Sequence, residues 1–230
     1  LWGVTYGNGT FVTMGDSGTI LTSSDNGTTW TSRTSGTSSN LFGVTYVNRT
    51  FVAVGDGGTI LTSSDGITWT SRTSGTNQSL YEVTYGNSTF VTVGTSGTIL
   101  TSSDGTTWTS RTSGTTNNLW GVSLGNSTFV AVGQAGTIFT SSDNGTTWTS
   151  RTSGISSQLN GVTYGNGLFV TVVYSGTILT SSDNGITWTS RTSGTSSNLF
   201  GVTTSPFFYK DLNVPSGWSG SAASGSYSST

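Results

Sequence analysis

The chain has 230 residues, of which 7% are charged, a formal net charge of −2, and neither histidine nor cysteine. That balance leaves no basic footprint for a nucleic-acid partner and no polybasic stretch for an anionic membrane surface. Without cysteine there are no disulfides and no thiolate metal sites, and no apolar run reaches the length of a membrane-spanning helix. No signal peptide is recognisable, and the chain opens at Leu1 in mid-phrase, as a mature or trimmed form would. Apolar content is a modest 31%, yet aromatics reach 11% and recur with a strict period, so a packed core is expected.

A phrase of the type Leu-x-Gly-Val-Thr begins at Leu1, Leu41, Leu80, Leu119, Leu159 and Leu199. Five full units therefore occupy 1–40, 41–79, 80–118, 119–158 and 159–198, and a sixth breaks off after Val202-Thr203. In the first unit, four runs rich in β-branched residues read as strands: Leu1–Tyr6, Thr10–Met14, Gly18–Ser23 and Thr29–Ser35. Gly7-Asn8-Gly9 separates the first two and is a hairpin signal; it recurs as Gly86-Asn87 and Gly125-Asn126. Four strands in about 40 residues is the pattern of a propeller blade. The expectation is an all-β fold: a closed β-propeller of five four-stranded antiparallel blades over residues 1–204, with residues 199–203 as a spare inner strand. The alternatives are six blades, the last degenerate and drawn from residues 199–230, or a β-solenoid, whose rungs are usually shorter. In the tail, 205–230, Pro206–Asp211 reads as one strand and Ser216–Thr230 as a Ser/Gly-rich linker.

The turn between the third and fourth strands carries the phrase Ser23-Ser24-Asp25-Asn26-Gly27-Thr28-Thr29-Trp30. It returns at Ser141–Trp148 and Ser181–Trp188, and one residue shorter at Ser63–Trp69 and Ser102–Trp108. The aspartate can accept backbone N–H groups two or more residues on, and Gly27 can take the positive φ that closes the turn. Trp30, Trp69, Trp108, Trp148 and Trp188 are expected between sheets, each removing about 150–250 Å² from water. These phrases resemble the Asp box (BNR repeat) of sialidases, sortilin-type receptors, photosystem-assembly propellers and some bacterial lectins. The resemblance implies architecture far more than activity, because unrelated functions share the motif. Asp25, Asp65, Asp104, Asp143 and Asp183 are accordingly assigned a structural role, since one carboxylate per distant turn makes no calcium cage.

Sialidases gather arginines around a carboxylate, but Arg33, Arg72, Arg111, Arg151 and Arg191 occupy one equivalent outer position and cannot converge. Each is expected to cover apolar surface or pair with a turn carboxylate. With five acids in the turns, only Asp16, Asp56, Glu82 and Asp211 remain. No paired-carboxylate, nucleophile–base or metal constellation can be built from them, so catalysis, cofactor and metal are not expected.

Differences between the units mark one end of the blades. The position after each repeat-start leucine reads Trp2, Phe42, Tyr81, Trp120, Asn160 and Phe200. The loops nearby vary as well, with Asp16 and Asp56 among them, and Glu82 interrupts a run of glycines at its position. Trp2, Phe42, Tyr81, Trp120, Asp16, Asp56 and Glu82 form the candidate binding set; the alternative is that the aromatics plug the seams between blades. Asn8, Asn48, Asn77, Asn87 and Asn126 lie in Asn-x-Ser/Thr sequons suited to glycosylation, while Asn26 and Asn144 fall inside the aspartate phrase. The sequence therefore points to a non-catalytic extracellular or cell-surface module of structural or adhesive type. Its partners would be other copies, a surface protein or glycans, and an open sheet edge at the spare strand suits a polymeric assembly. A lectin is the alternative, and a sialidase-like hydrolase the remote one.

Overall fold

The computed structural model describes residues 1–204, 218–220 and 227–229. The first sheet holds β1 (Gly3–Gly7), β2 (Thr10–Met14), β3 (Ile20–Ser23) and β4 (Thr31–Arg33). The second holds β5 (Leu41–Val47), β6 (Thr50–Gly55), β7 (Ile60–Ser63) and β8 (Thr70–Arg72). The third comprises β9 (Leu80–Gly86), β10 (Thr89–Gly94), β11 (Ile99–Ser102) and β12 (Thr109–Arg111). The fourth comprises β13 (Leu119–Gly125), β14 (Thr128–Gly133), β15 (Ile138–Ser141) and β16 (Thr149–Arg151). The fifth is β17 (Leu159–Gly165), β18 (Leu168–Val173), β19 (Thr177–Ser181) and β20 (Thr189–Thr192). All five are antiparallel meanders in which neighbours in sequence are neighbours in space. This is the all-β, five-blade propeller architecture expected from the repeat.

Turn chemistry sets the strand ends. Asn8 and Gly9 both take left-handed φ, 51° and 74°, the requirement of a two-residue type I′ hairpin. Between the second and third strands, Asp16–Thr19 form a tight turn in which Ser17 and Gly18 take left-handed φ, 52° and 71°, and the Thr19 N–H donates to Asp16 O at 3.0 Å, so β3 starts at Ile20 rather than Gly18. The outer strand shrinks to Thr31–Arg33, because the Thr29 N–H is bonded to Asp25 and Ser35 Oγ turns toward Thr37 O.

The core is not inside any sheet but between sheets. Val12, Met14 and Ile20 of the first blade pack against Leu41, Val44, Phe51 and Leu61 of the second. The same contact repeats as Val52, Val54 and Ile60 against Leu80, Val83, Phe90 and Leu100. It recurs as Val91, Val93 and Ile99 against Leu119, Val122 and Phe129, and as Val130, Val132 and Ile138 against Leu159, Phe169 and Leu179. Trp69, Trp108, Trp148 and Trp188 pack against these four cores. Inner strands meet in series, β1 on β5, β5 on β9, β9 on β13 and β13 on β17.

Among the described residues β17 and β1 share no contact of the kind that joins the other inner strands, and Val4 is 64% exposed where its counterpart Val44 is 9% exposed. Trp30 is likewise 42% exposed, since among the described residues no other blade covers it. In the tail, Trp218–Gly220 (β21) and Tyr227–Ser229 (β22) pair antiparallel inside the stretch read as a linker, consistent with β-favouring aromatics there. The strand expected at Pro206–Asp211 lies outside the described residues.

Gly125 shows how tightly adjacent blades approach. A Cβ there would overlap the Tyr164 ring of the next blade, as one at Gly7 would overlap Tyr46. Gly125→Ala should lower stability by about 1–3 kcal/mol in urea denaturation, the usual cost of overpacking; an unchanged midpoint would show that the interface gives way freely.

Candidate functional site

The positions that vary after each repeat-start leucine share a backbone device. In the second blade Leu41 pairs with Gly55 and Gly43 with Val54, so Phe42 is skipped by the ladder. Tyr81, Trp120 and Asn160 are skipped in the same way. Each is the extra residue of a β-bulge, which re-aims a side chain out of the alternation of its strand. In the first blade Trp2 precedes β1, and its N–H donates to Met14 O at 2.7 Å.

The bulged side chains meet one another across blades. Ring centroids lie 6.1 Å apart for Trp2 and Phe42, 5.4 Å for Phe42 and Tyr81, and 4.4 Å for Tyr81 and Trp120. Phe42, Tyr81 and Trp120 are half-buried, and Trp2 is 64% exposed. The arc therefore seals seams between blades and also presents a continuous aromatic rim. It stops at Asn160, whose Nδ2 donates to Leu199 O, and a further pair follows, Tyr174 with Phe200 at 5.9 Å. Trp120 Nε1 is buried with no acceptor among the described residues.

Loop side chains fix the arc from below. Trp2 Nε1 donates to Asp16 Oδ1 at 2.8 Å. Asp56 accepts from Asn40 Nδ2 at 2.9 Å and Ser79 Oγ at 2.8 Å, so both its oxygens are engaged in joining neighbouring loops. Burial, with the Asp56 charge second, pushes the Tyr81 hydroxyl pKa up. Glu82 lies beside Tyr81 on β9; although part of the residue reaches the surface, its carboxyl is desolvated and its pKa is pushed up to about 7. A weak bond from the Val83 N–H, 3.3 Å, offsets this only in part.

The aspartate turns lie away from this arc and are closed on themselves. Asp25 accepts from Thr29 Oγ1 at 2.6 Å, Thr29 N–H at 2.9 Å and Ser23 Oγ at 2.7 Å, while Trp30 Nε1 donates to Gly27 O. Asp143 and Asp183 repeat the pattern with Thr147 and Thr187. In the shorter turns the backbone N–H groups of Thr68 and Thr107 take the leading part. These bonds hold Asp25, Asp143 and Asp183 near pKa 2, and Asp65 and Asp104 below the usual range. The Nε of each repeat arginine donates to a threonine hydroxyl on the adjacent strand, Arg33 to Thr22 and Arg111 to Thr101 at 2.8 Å, so of the two expected roles the pairing with a turn carboxylate is not the one taken. The sequon residues Asn8, Asn48, Asn87 and Asn126 stand exposed at the first hairpin turns, and Asn77 is exposed in the loop before β9. Asn48 Nδ2 donates to Tyr85 Oη and Asn126 Nδ2 to Asn184 Oδ1.

With this geometry, comparison with solved structures finds the same architecture. A structure described as YCF48 bound to D1 peptide superposes with a TM-score of 0.63 at 19% identity, covering 80% of this chain and 63% of that one. YCF48 from Cyanidioschyzon merolae gives 0.57 at 15% identity, covering 87% and 88%. The computationally designed protein Ika8 gives 0.72 at 15% identity, covering 89% and 65%. The likeness is one of fold. This chain thus spans less than two thirds of the length of the peptide-bound YCF48 and of Ika8. No protein-family model matches the sequence, and no curated protein matches it.

The sequence pointed to Trp2, Phe42, Tyr81 and Trp120 through their variation, and the structure brings them together; it ties Asp56 into the loops instead. Tyr174 was visible only as an odd loop residue, and its pairing with Phe200 depends on where residues 199–204 dock.

Two pH effects follow. A carboxylate whose folded pKa lies below its unfolded value of 3.8 stabilises the fold at neutral pH, and that share drains away as pH falls toward 2. The urea midpoint should therefore drop between pH 5 and 2, and less steeply in Asp143→Asn; equal slopes would contradict the turn geometry. Glu82 has the opposite sign: ionising it costs stability increasingly from pH 4.5 to 7. Glu82→Gln should raise Tm at pH 8 by several degrees, at about 2–4 °C per kcal/mol for a chain of this size, and change little at pH 4.

Proposed function

We propose that this chain is a non-catalytic recognition module acting outside the cell, in a structural or adhesive role, that holds a partner protein on its aromatic arc. The observation that carries this reading is the delivery of Phe42, Tyr81 and Trp120 by three successive bulges into one contact series with Trp2. Half-exposed aromatic surface with a polar surround is the composition of protein-binding hot spots.

A polypeptide suits this rim better than a sugar. Its rings are inclined to one another by 31–68° and touch, so they offer a ridged apolar surface rather than flat, separated stacking platforms. A solved propeller of similar fold is described with a peptide bound, which supports the same class of partner here. The non-catalytic reading is supported by the carboxylates' commitments: five serve turns and Asp56 joins loops. Among the described residues no three His, Cys, Asp or Glu side chains gather as metal ligands. The placement outside the cell rests on exposed sequons at Asn8, Asn48, Asn77, Asn87 and Asn126. No helix among the described residues is long and apolar enough to cross a membrane.

Display on a random peptide library, beside a glycan array, tests the reading. Peptides enriched by the native chain should lose about tenfold or more in affinity for Trp2→Ala, roughly 1.4 kcal/mol, with Tm unchanged because Trp2 is mostly in solvent. Glycan binding inhibited by a free sugar, without peptide enrichment, would replace the reading with a lectin.

A further inference from the structure

The open end of the arc presents a face whose complement is already known from within the molecule. Leu1, Trp2, Val4, Tyr6 and Trp30 are 67%, 64%, 64%, 57% and 42% exposed, and all belong to the first blade. In later blades the counterparts of Leu1, Val4 and Tyr6, such as Leu41, Val44 and Tyr46, pack on the valine and isoleucine row of the preceding sheet. That row is Val12, Met14 and Ile20, then Val52, Val54 and Ile60, and so on through Val130, Val132 and Ile138. The fifth sheet carries the same row, Val170, Val172 and Ile178. Val170 and Ile178 keep part of their surface open where Val130 and Ile138 are fully buried.

Residues 199–204 lie over the inner part of that fifth sheet. Leu199 N–H donates to Val173 O at 3.3 Å, as Leu41 N–H donates to Gly15 O at 3.0 Å. Thr204 faces Gly165 where Tyr46 faces Gly7. Residues 199–204 thus repeat the docking of an inner strand, with Thr204 in place of the larger ring that β1 would bring through Tyr6.

We propose that the outer face of the first sheet is a docking surface for a second copy of this chain, which offers the Val170, Val172 and Ile178 face of its fifth sheet. In the joined form β1 takes, on that sheet, the place that residues 199–204 hold in the single chain. The contact is heterologous, one end of a copy against the other end of the next, and so can extend or close according to its rotation. The four internal seams argue for this occupant: each is built from the same two rows, so the fit needs no new surface. The inference stands apart from the aromatic-arc reading and does not depend on a peptide partner.

Sedimentation velocity of the full chain over a concentration series tests it. The native chain should form species of two or more copies as concentration rises. Val4→Asp should weaken that association by about tenfold or more while its circular dichroism stays native, because the side chain is in solvent in the single copy. Val202→Asp loosens the competing inner strand and should strengthen association. A chain that stays single at every concentration, with the face left open or shielded by another part of the chain, would overturn the proposal. So would a Val4→Asp variant that associates like the native chain, or a Val202→Asp variant that associates less.

Discussion

The interface between successive sheets is the constraint on which everything else in this molecule rests. A four-stranded meander of about 30 residues has no interior, and here both of its faces are apolar. One face carries valine and isoleucine, and the other leucine, valine, phenylalanine and a tryptophan at the rim. Neither face can be buried except against another blade, so the repeat is a condition of folding at all. Charge has almost no part in this. The polar groups are instead satisfied locally, by aspartate turns closed by threonine and serine and by arginines bonded to threonine hydroxyls on the next strand.

This division of labour leaves one end of the blades free to vary. The turns that carry the repeated aspartate are bound by their own internal hydrogen bonds, and changing them would cost strand geometry. In the second to fifth blades the residue after the repeat-start leucine sits in a bulge, outside the ladder, where its identity changes no backbone pairing. Trp, Phe, Tyr and Asn all occur there. Loops nearby adapt to each: Asp16 accepts from the Trp2 indole, and Gln158 Nε2 donates to Asn160 Oδ1. A recognition surface can therefore differ from blade to blade on an unchanged frame.

Much of this was legible from residues. The 39- or 40-residue period, the Asn8-Gly9 turn and the Ser-x-Asp phrase with its tryptophan placed the five blades and their strand order. Less visible was anything that depends on a missing or added neighbour. Val4 and Val44 are the same residue in the same phrase, and what separates them is that, among the described residues, no other blade faces Val4. The bulge was hidden too, because a strand's alternation looks intact until its partner's register is known. For Arg33 the residue type suggests an apolar cover or a turn carboxylate; the acceptor its Nε finds is the Thr22 hydroxyl on the adjacent strand, two residues along from Ile20, which lies directly opposite Arg33.

Amide hydrogen exchange on the chain at high dilution, where copies do not meet, tests the governing claim most directly. If burial between blades holds the fold, amides of β10, whose sheet is covered on both faces, exchange last, and those of β2 and β3 in the first sheet exchange sooner. Equal protection of the first and third sheets would mean that each blade is stable by itself, and would contradict the account.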